Sequence, residues 1–200
     1  MAFQTLSKRL VVLVVVALLV LAAGPSMAAA QSNDATQETR LSGTVIVQPG
    51  ESVDSLDVMA GTVVVRGTVE GDLSGVAGNV VIADTGHVHG DLSLATGSLQ
   101  IAGTVDGSVS AGTGSVHLAE TGSVGGDFSV GAGTATIDGT IAGSATVGGD
   151  TIVLGPTAEI GGELRYDGAL TQRSGAVVGG SIVKDDSIGG FGPAGVSGVS

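Results

Sequence analysis

From Val88 the chain places apolar residues at Leu92, Leu94, Leu99, Ile101 and Val105, at offsets of +4, +6, +11, +13 and +17. The next unit repeats the pattern as Val105, Val109, Ala111, Val116 and Leu118, and Val124 follows 19 residues on. Further unit starts fall at Val69, Ile141, Ile160 and Val178, with steps that mostly alternate between 17 and 19. Ser52 reads as a polar start whose unit still holds Leu56, Val58, Val63 and Val65 in phase. Self-similarity at a fixed period is the mark of a repeat architecture.

Apolar pairs two residues apart put both side chains on one face of a strand. Gly, Ser, Thr, Asp and Ala fill the gaps between pairs and favour turns over helix. The pattern predicts an all-β chain in which three short strands and tight turns make one coil. A lone coil cannot bury its apolar face, so coils stack as a single-stranded β-helix, or β-solenoid. Residues 43–184 should form seven to eight such coils of 17–19 residues. At one strand spacing per coil the rod would be about 35–40 Å long. The predicted core has two columns. One runs Leu56, Leu73, Leu92, Val109, Phe128, Ala145, Leu164; the other runs Val63, Val80, Leu99, Val116, Ala135, Ile152. Short coils close with Arg66-Gly67-Thr68 and its equivalents, and long coils with the five residues Ala83–His87 and theirs, giving a 36-residue double repeat. Near Thr171 and Arg173 polar residues take core phases and the pattern decays.

The ends read differently. Lys8-Arg9, an apolar run from Leu10 to Ala23 and Ala28-Ala29-Ala30 form a secretory signal peptide over 1–30,. A retained N-terminal anchor is the alternative, although the run is short for a spanning helix. Residues 31–42 read as a disordered polar segment and 185–200 as a flexible Gly-rich tail,. Such a chain is exported, and its site of action is extracytoplasmic, at the cell envelope or membrane. The net charge of −12 becomes −14 once Lys8 and Arg9 are removed. That charge argues against nucleic acid and other anionic partners. The nearly lysine-free acidic surface also suggests a salt-loving archaeal source. Cysteine is absent, which removes disulfides, thiolate metal sites and a lipidated cysteine,.

Candidate chemistry is sparse. His87 and His89 flank Val88 and should share an outward strand face, as two metal ligands would,. His117 belongs to another face and no third ligand is apparent, so solvated histidines are the preferred reading. Asp72, Asp91, Ser108, Asp127, Ser144 and Glu163 share offset +3. They are expected to be a solvated acidic column, with a weak calcium site as the alternative. The full calcium-binding nonapeptide is missing. The basic residues Arg66, Arg165 and Arg173 are scattered, and no insertion forms a groove of the kind polysaccharide-cleaving β-helices use. Hexapeptide acyltransferases need an aliphatic residue every six positions, which these offsets do not provide. The chain therefore reads as non-enzymatic, with no cofactor, no nucleotide and no metal.

The phrase Gly-x-Val-x-Gly-Asp-Leu-Ser at 67–74 and 86–93, followed by Val-x-Ile at 80–82 and Leu-x-Ile at 99–101, resembles the bactofilin (polymer-forming cytoskeletal) family over roughly residues 43–183. The resemblance implies a right-handed triangular β-helix that joins end to end into nucleotide-free filaments and scaffolds envelope proteins. Bacterial members mostly lack a signal peptide, so the chain is more similar to archaeal envelope-type relatives. Independently, the uncapped end coils of a solenoid expose strand edges that template further pairing. Head-to-tail contacts that do not close give open filaments. The expected partner is therefore a second copy of this chain, with envelope or membrane proteins as further partners. Candidate contact residues are Leu56, Val58, Val63 and Val65 at one end and Leu164, Tyr166, Val178 and Ile182 at the other. The competing readings are a surface-attached adhesin or binding module, and the extracytoplasmic part of a larger membrane protein.

Overall fold

In each repeat one backbone stretch of about ten residues carries both apolar pairs. The computed structural model describes residues 37–188, with side chains from Gly43 onward. The long strands are β1 (Gln37–Val47), β3 (Ser55–Val65), β5 (Leu73–Ile82), β7 (Leu92–Ile101), β9 (Val109–Leu118), β11 (Phe128–Ile137), β13 (Ala145–Leu154) and β15 (Leu164–Gln172). They alternate with the two-residue strands β2 (Ser52–Val53), β4 (Thr68–Val69), β6 (His87–Val88), β8 (Thr104–Val105), β10 (Ser123–Val124), β12 (Thr140–Ile141), β14 (Glu159–Ile160) and β16 (Val177–Val178). The three-residue β17 (Ile182–Lys184) comes last. Long strands and β17 stack in order into a nine-stranded parallel sheet, and the two-residue strands into an eight-stranded one. The result is a β-solenoid of about eight coils.

The predicted three short strands are replaced by one long strand and one short one. In β7, Leu92 and Leu94 are buried, and so are Leu99 and Ile101. A straight strand with period two cannot point both pairs inward, because their parity differs. The strand therefore bends between Ala95 and Ser98 while its ladder to β9 continues on either side of Gly97. Glycine makes this corner compact. Gly61, Gly78, Gly97 and Gly114 stack in register, each so close to the carbonyl below that a Cβ would come within 2.7–2.8 Å of it. The two arms of the long strand and the two-residue strand make three walls. Both predicted columns lie inside them: Leu73, Leu92, Phe128 and Leu164 are fully buried, as are Val80, Ala135 and Ile152.

The alternation of corners is a fitted arrangement rather than a spacing accident. In the three long corners that follow a short one, at 83–86, 119–122 and 155–158, a threonine hydroxyl donates to the preceding short corner: Thr85 Oγ1 to the Arg66 carbonyl at 2.9 Å, Thr121 to Ala102 at 2.8 Å and Thr157 to Asp138 at 2.7 Å. In each short corner a buried glycine nests against the long corner before it. A Cβ on Gly103 would lie 2.2 Å from the carbonyl oxygens of both Ala83 and Gly86, and Gly139 is placed likewise. No other residue type fits there.

Two phases differ from the sequence pattern, both through loss of one residue at a bend. Val53, not Ser52, pairs with Val69 and is buried, so the unit start is apolar after all. Only Asp54 and Ser55 then separate it from Leu56, where other coils have three residues. In β15 the register to β13 shifts after Gly148, and Leu170 rather than Thr171 falls opposite Ile152. Leu170 packs against the core, so the decay expected at Thr171 begins later, at Gln172 opposite Leu154. At the N-terminal side, β1 starts at Gln37 and pairs with β3 from Gln37↔Ser55 onward. It thus takes in the second half of the stretch expected to be disordered, because a parallel ladder satisfies polar-sequence backbone as well as apolar. The predicted signal peptide and residues 31–36 lie outside the described residues, as do residues 189–200 of the expected tail. Asp185–Ile188 are ordered as a turn, with the Ile188 N–H donating to the Asp185 carbonyl at 3.1 Å and Asp185 N–H to Tyr166 at 2.8 Å.

Candidate assembly surfaces and side-wall clusters

The eight candidate contact residues do not all lie at ends. Leu56, Val58, Val63 and Val65 are buried in β3, which has β5 on one side and β1 on the other. They are core residues, and the outermost strand among the described residues at that end is β1. Register opposes Glu38 to Leu56 and Arg40 to Val58, whereas Val45 and Val47, opposite Val63 and Val65, are buried, so the apolar pattern begins with the second arm of this coil. At the other end Leu164 is also core, while Tyr166 and Val178 are partly buried against it. Ile182 is 42% exposed and does sit on the outermost coil.

Among the described residues that coil is incomplete. β17 pairs only with Leu164–Tyr166, so the second arm of β15, through Gln172, has no further strand over it among the described residues. Val177, Ile182 and Val183 are the exposed large apolar residues there. Polar links surround them. Arg165 Nη2 donates to Asp185 at 2.6 Å, Lys184 Nζ lies 2.7 Å from Asp186, and Ser181 donates to Glu163 at 2.8 Å. The Ser187 hydroxyl and N–H, and then Arg165, hold the Asp185 carboxyl below its ordinary range. The Asp186 carboxylate raises Lys184 in turn. Charge divides the molecule sharply. Residues 67–164 carry eleven carboxylates and no lysine or arginine, whereas 165–188 balance Arg165, Arg173 and Lys184 against three aspartates.

The offset +3 column faces solvent, as expected, with Asp72, Asp91, Asp127 and Ser144 exposed, and it is also a hydrogen-bonded ladder. Asp72 Oδ1 accepts the Asp91 N–H at 2.8 Å, Asp91 Oδ1 the Ser108 N–H at 2.7 Å, and Asp127 Oδ1 the Ser144 N–H at 2.8 Å. Ser108 Oγ accepts from Asp127 at 3.2 Å and Ser144 Oγ from Glu163 at 3.4 Å. Each side chain satisfies a corner amide of the next coil, a use that acid and hydroxyl share and that the sequence reading missed. On the neighbouring wall His87 and His89 do point out together, with ring centroids 4.1 Å apart. Asp106, from the next coil, joins them. His87 Nε2 is 3.0 Å from Asp106 Oδ1 and His89 Nδ1 is 2.7 Å from Oδ2. Hydrogen bonds from His87 and then His89 hold the Asp106 carboxyl below its usual range. His117 stands apart, 3.4 Å from Asp138.

No curated protein and no solved structure matches the chain. Residues 89–183, from the third full coil to the last strand, match the model of the bactofilin family, described as polymer-forming cytoskeletal, so this stretch of the solenoid is similar to a structural family rather than to a family of enzymes.

Proposed function

We propose that the chain is a non-enzymatic structural protein that assembles head to tail into filaments at the cell envelope, outside the cytoplasm. The C-terminal coil, incomplete among the described residues, carries this reading. A strand arm left uncovered among the described residues and bordered by exposed Val177, Ile182 and Val183 offers both ladder partners and apolar surface to an arriving β1,. The family match over 89–183 supports polymer formation. The basic and apolar N-terminal stretch supports export, and the lysine-poor acidic body fits an archaeal, high-salt setting. Envelope or membrane proteins would be the filament's further partners.

Sedimentation and negative-stain microscopy of the purified chain test the proposal, with Ile182→Glu as the informative variant. Wild-type filaments should be lost in Ile182→Glu while the β-type circular dichroism stays unchanged, since Ile182 is on the outermost coil. A wild-type chain that remains monomeric under all conditions would end this reading.

A further inference from the structure

We propose that His87, His89 and Asp106 form a binding site for one borderline first-row divalent cation of the zinc or nickel class. The site arises from the stack. His87 and His89 stand on either side of buried Val88, so both imidazoles leave the same wall. The register Val88↔Val105 then sets Asp106 beside His89 one coil further on. Backbone ladders fix all three: His87 N–H bonds Gly67 at 3.0 Å, His89 N–H bonds Val69 at 2.9 Å and Asp106 N–H bonds Val88 at 2.9 Å.

The donor atoms already converge, all within 4.8 Å of one another. With metal–ligand bonds of about 2.1 Å, ligand atoms on adjacent coordination positions lie roughly 3.0–3.4 Å apart. The present contacts of 3.0 and 2.7 Å lie near that range, and side-chain rotation that opens them slightly and draws in the wider separation, within 4.8 Å, would complete the set. Glu70, one coil earlier, stands 3.7 Å from His89 Nε2. When a cation displaces the Nδ1 hydrogen bond to Asp106, this carboxylate is placed to hold the proton on Nε2, as outer-sphere carboxylates do for ligating histidines,. Two imidazoles and one carboxylate suit zinc or nickel better than calcium or magnesium. The aspartates of the neighbouring ladder are committed to backbone amides and do not compete.

The chemistry is local to three coils. Glu70, His89 and Asp106 occupy one offset, and the same offset in later coils holds Gly125, Ala142 and Gly161. Among the described residues there is therefore one such site. His117 with Asp138 supplies two donors only and serves as the control.

Calorimetric titration of the purified full chain with Zn²⁺ and with Ni²⁺ tests the inference. One ion per chain is expected. His87→Ala, His89→Ala and Asp106→Asn should each weaken binding at least tenfold, and the double variant His87→Ala/His89→Ala should abolish it. His117→Ala should bind as wild type, and Glu70→Gln should keep the stoichiometry but lose about tenfold in affinity. The altered side chains are on the outer wall, so an unchanged circular dichroism spectrum certifies the fold of each variant. Saturable one-to-one binding that survives in the double variant, or no saturable uptake by the wild type up to about 1 mM metal, overturns the proposal.

Discussion

Single residues in this molecule act mostly on the coil next to their own. Gly103 shows how tight that coupling is: two carbonyl oxygens of the previous corner occupy the space a methyl group would need. Gly103→Ala should destabilise by about 2–3 kcal/mol, since backbone on both sides cannot yield. Gly112 has nothing within 4 Å of its missing Cβ. Gly112→Ala should be neutral or gain up to about 1 kcal/mol by restricting the unfolded chain. Urea melts of the two variants check the contrast, and equal losses would refute the account of the corners. The residues sequence reading placed least well are the polar ones. Asp91 is charged and Ser108 neutral, yet both accept a backbone N–H of the next coil, so chemical type alone hid their shared role. Asp106 was missed because it belongs to another coil, although its offset, shared with His89 and Glu70, was there to be compared.

At the level of elements, the inward phases +4, +6, +11 and +13 were legible because each demands an apolar side chain. The continuity of the long strand was not, because a backbone ladder passing through a glycine corner leaves no mark in the apolar pattern. Val53 and Leu170 escaped for a related reason: one residue lost at a bend shifts every later phase, and fixed spacing cannot register it. The matched pairing of long and short corners makes a sharper prediction. Excising residues 105–140 removes one complete coil pair and sets Leu92 under Ala145, Leu94 under Val147 and Leu99 under Ile152. That chain should fold cooperatively, with a denaturant slope lower by about a quarter, in line with the smaller surface it buries. Excising residues 105–123 alone stacks one short corner on another and leaves Gly139 without its carbonyl nest. It should be the less stable of the two despite its greater length, which denaturant midpoints will decide.

For the whole molecule the distribution of charge matters more than its sum. Eleven carboxylates line the middle stretch without one basic side chain, while the C-terminal coils are balanced. Side-by-side approach of two rods therefore meets repulsion that end-on approach avoids. Salt shortens the reach of that repulsion to about 3 Å at 1 M. Assembly should strengthen from low to molar KCl, first as single filaments and then as bundles, followed by sedimentation and microscopy. Filaments that dissolve as salt rises would contradict this. A stack in which every turn of backbone advances by one strand spacing also works as a ruler. In an end-to-end polymer, eight turns at about 4.8 Å would set an axial step of roughly 38 Å for each copy added, and duplication of one 36-residue unit would lengthen that step by two spacings.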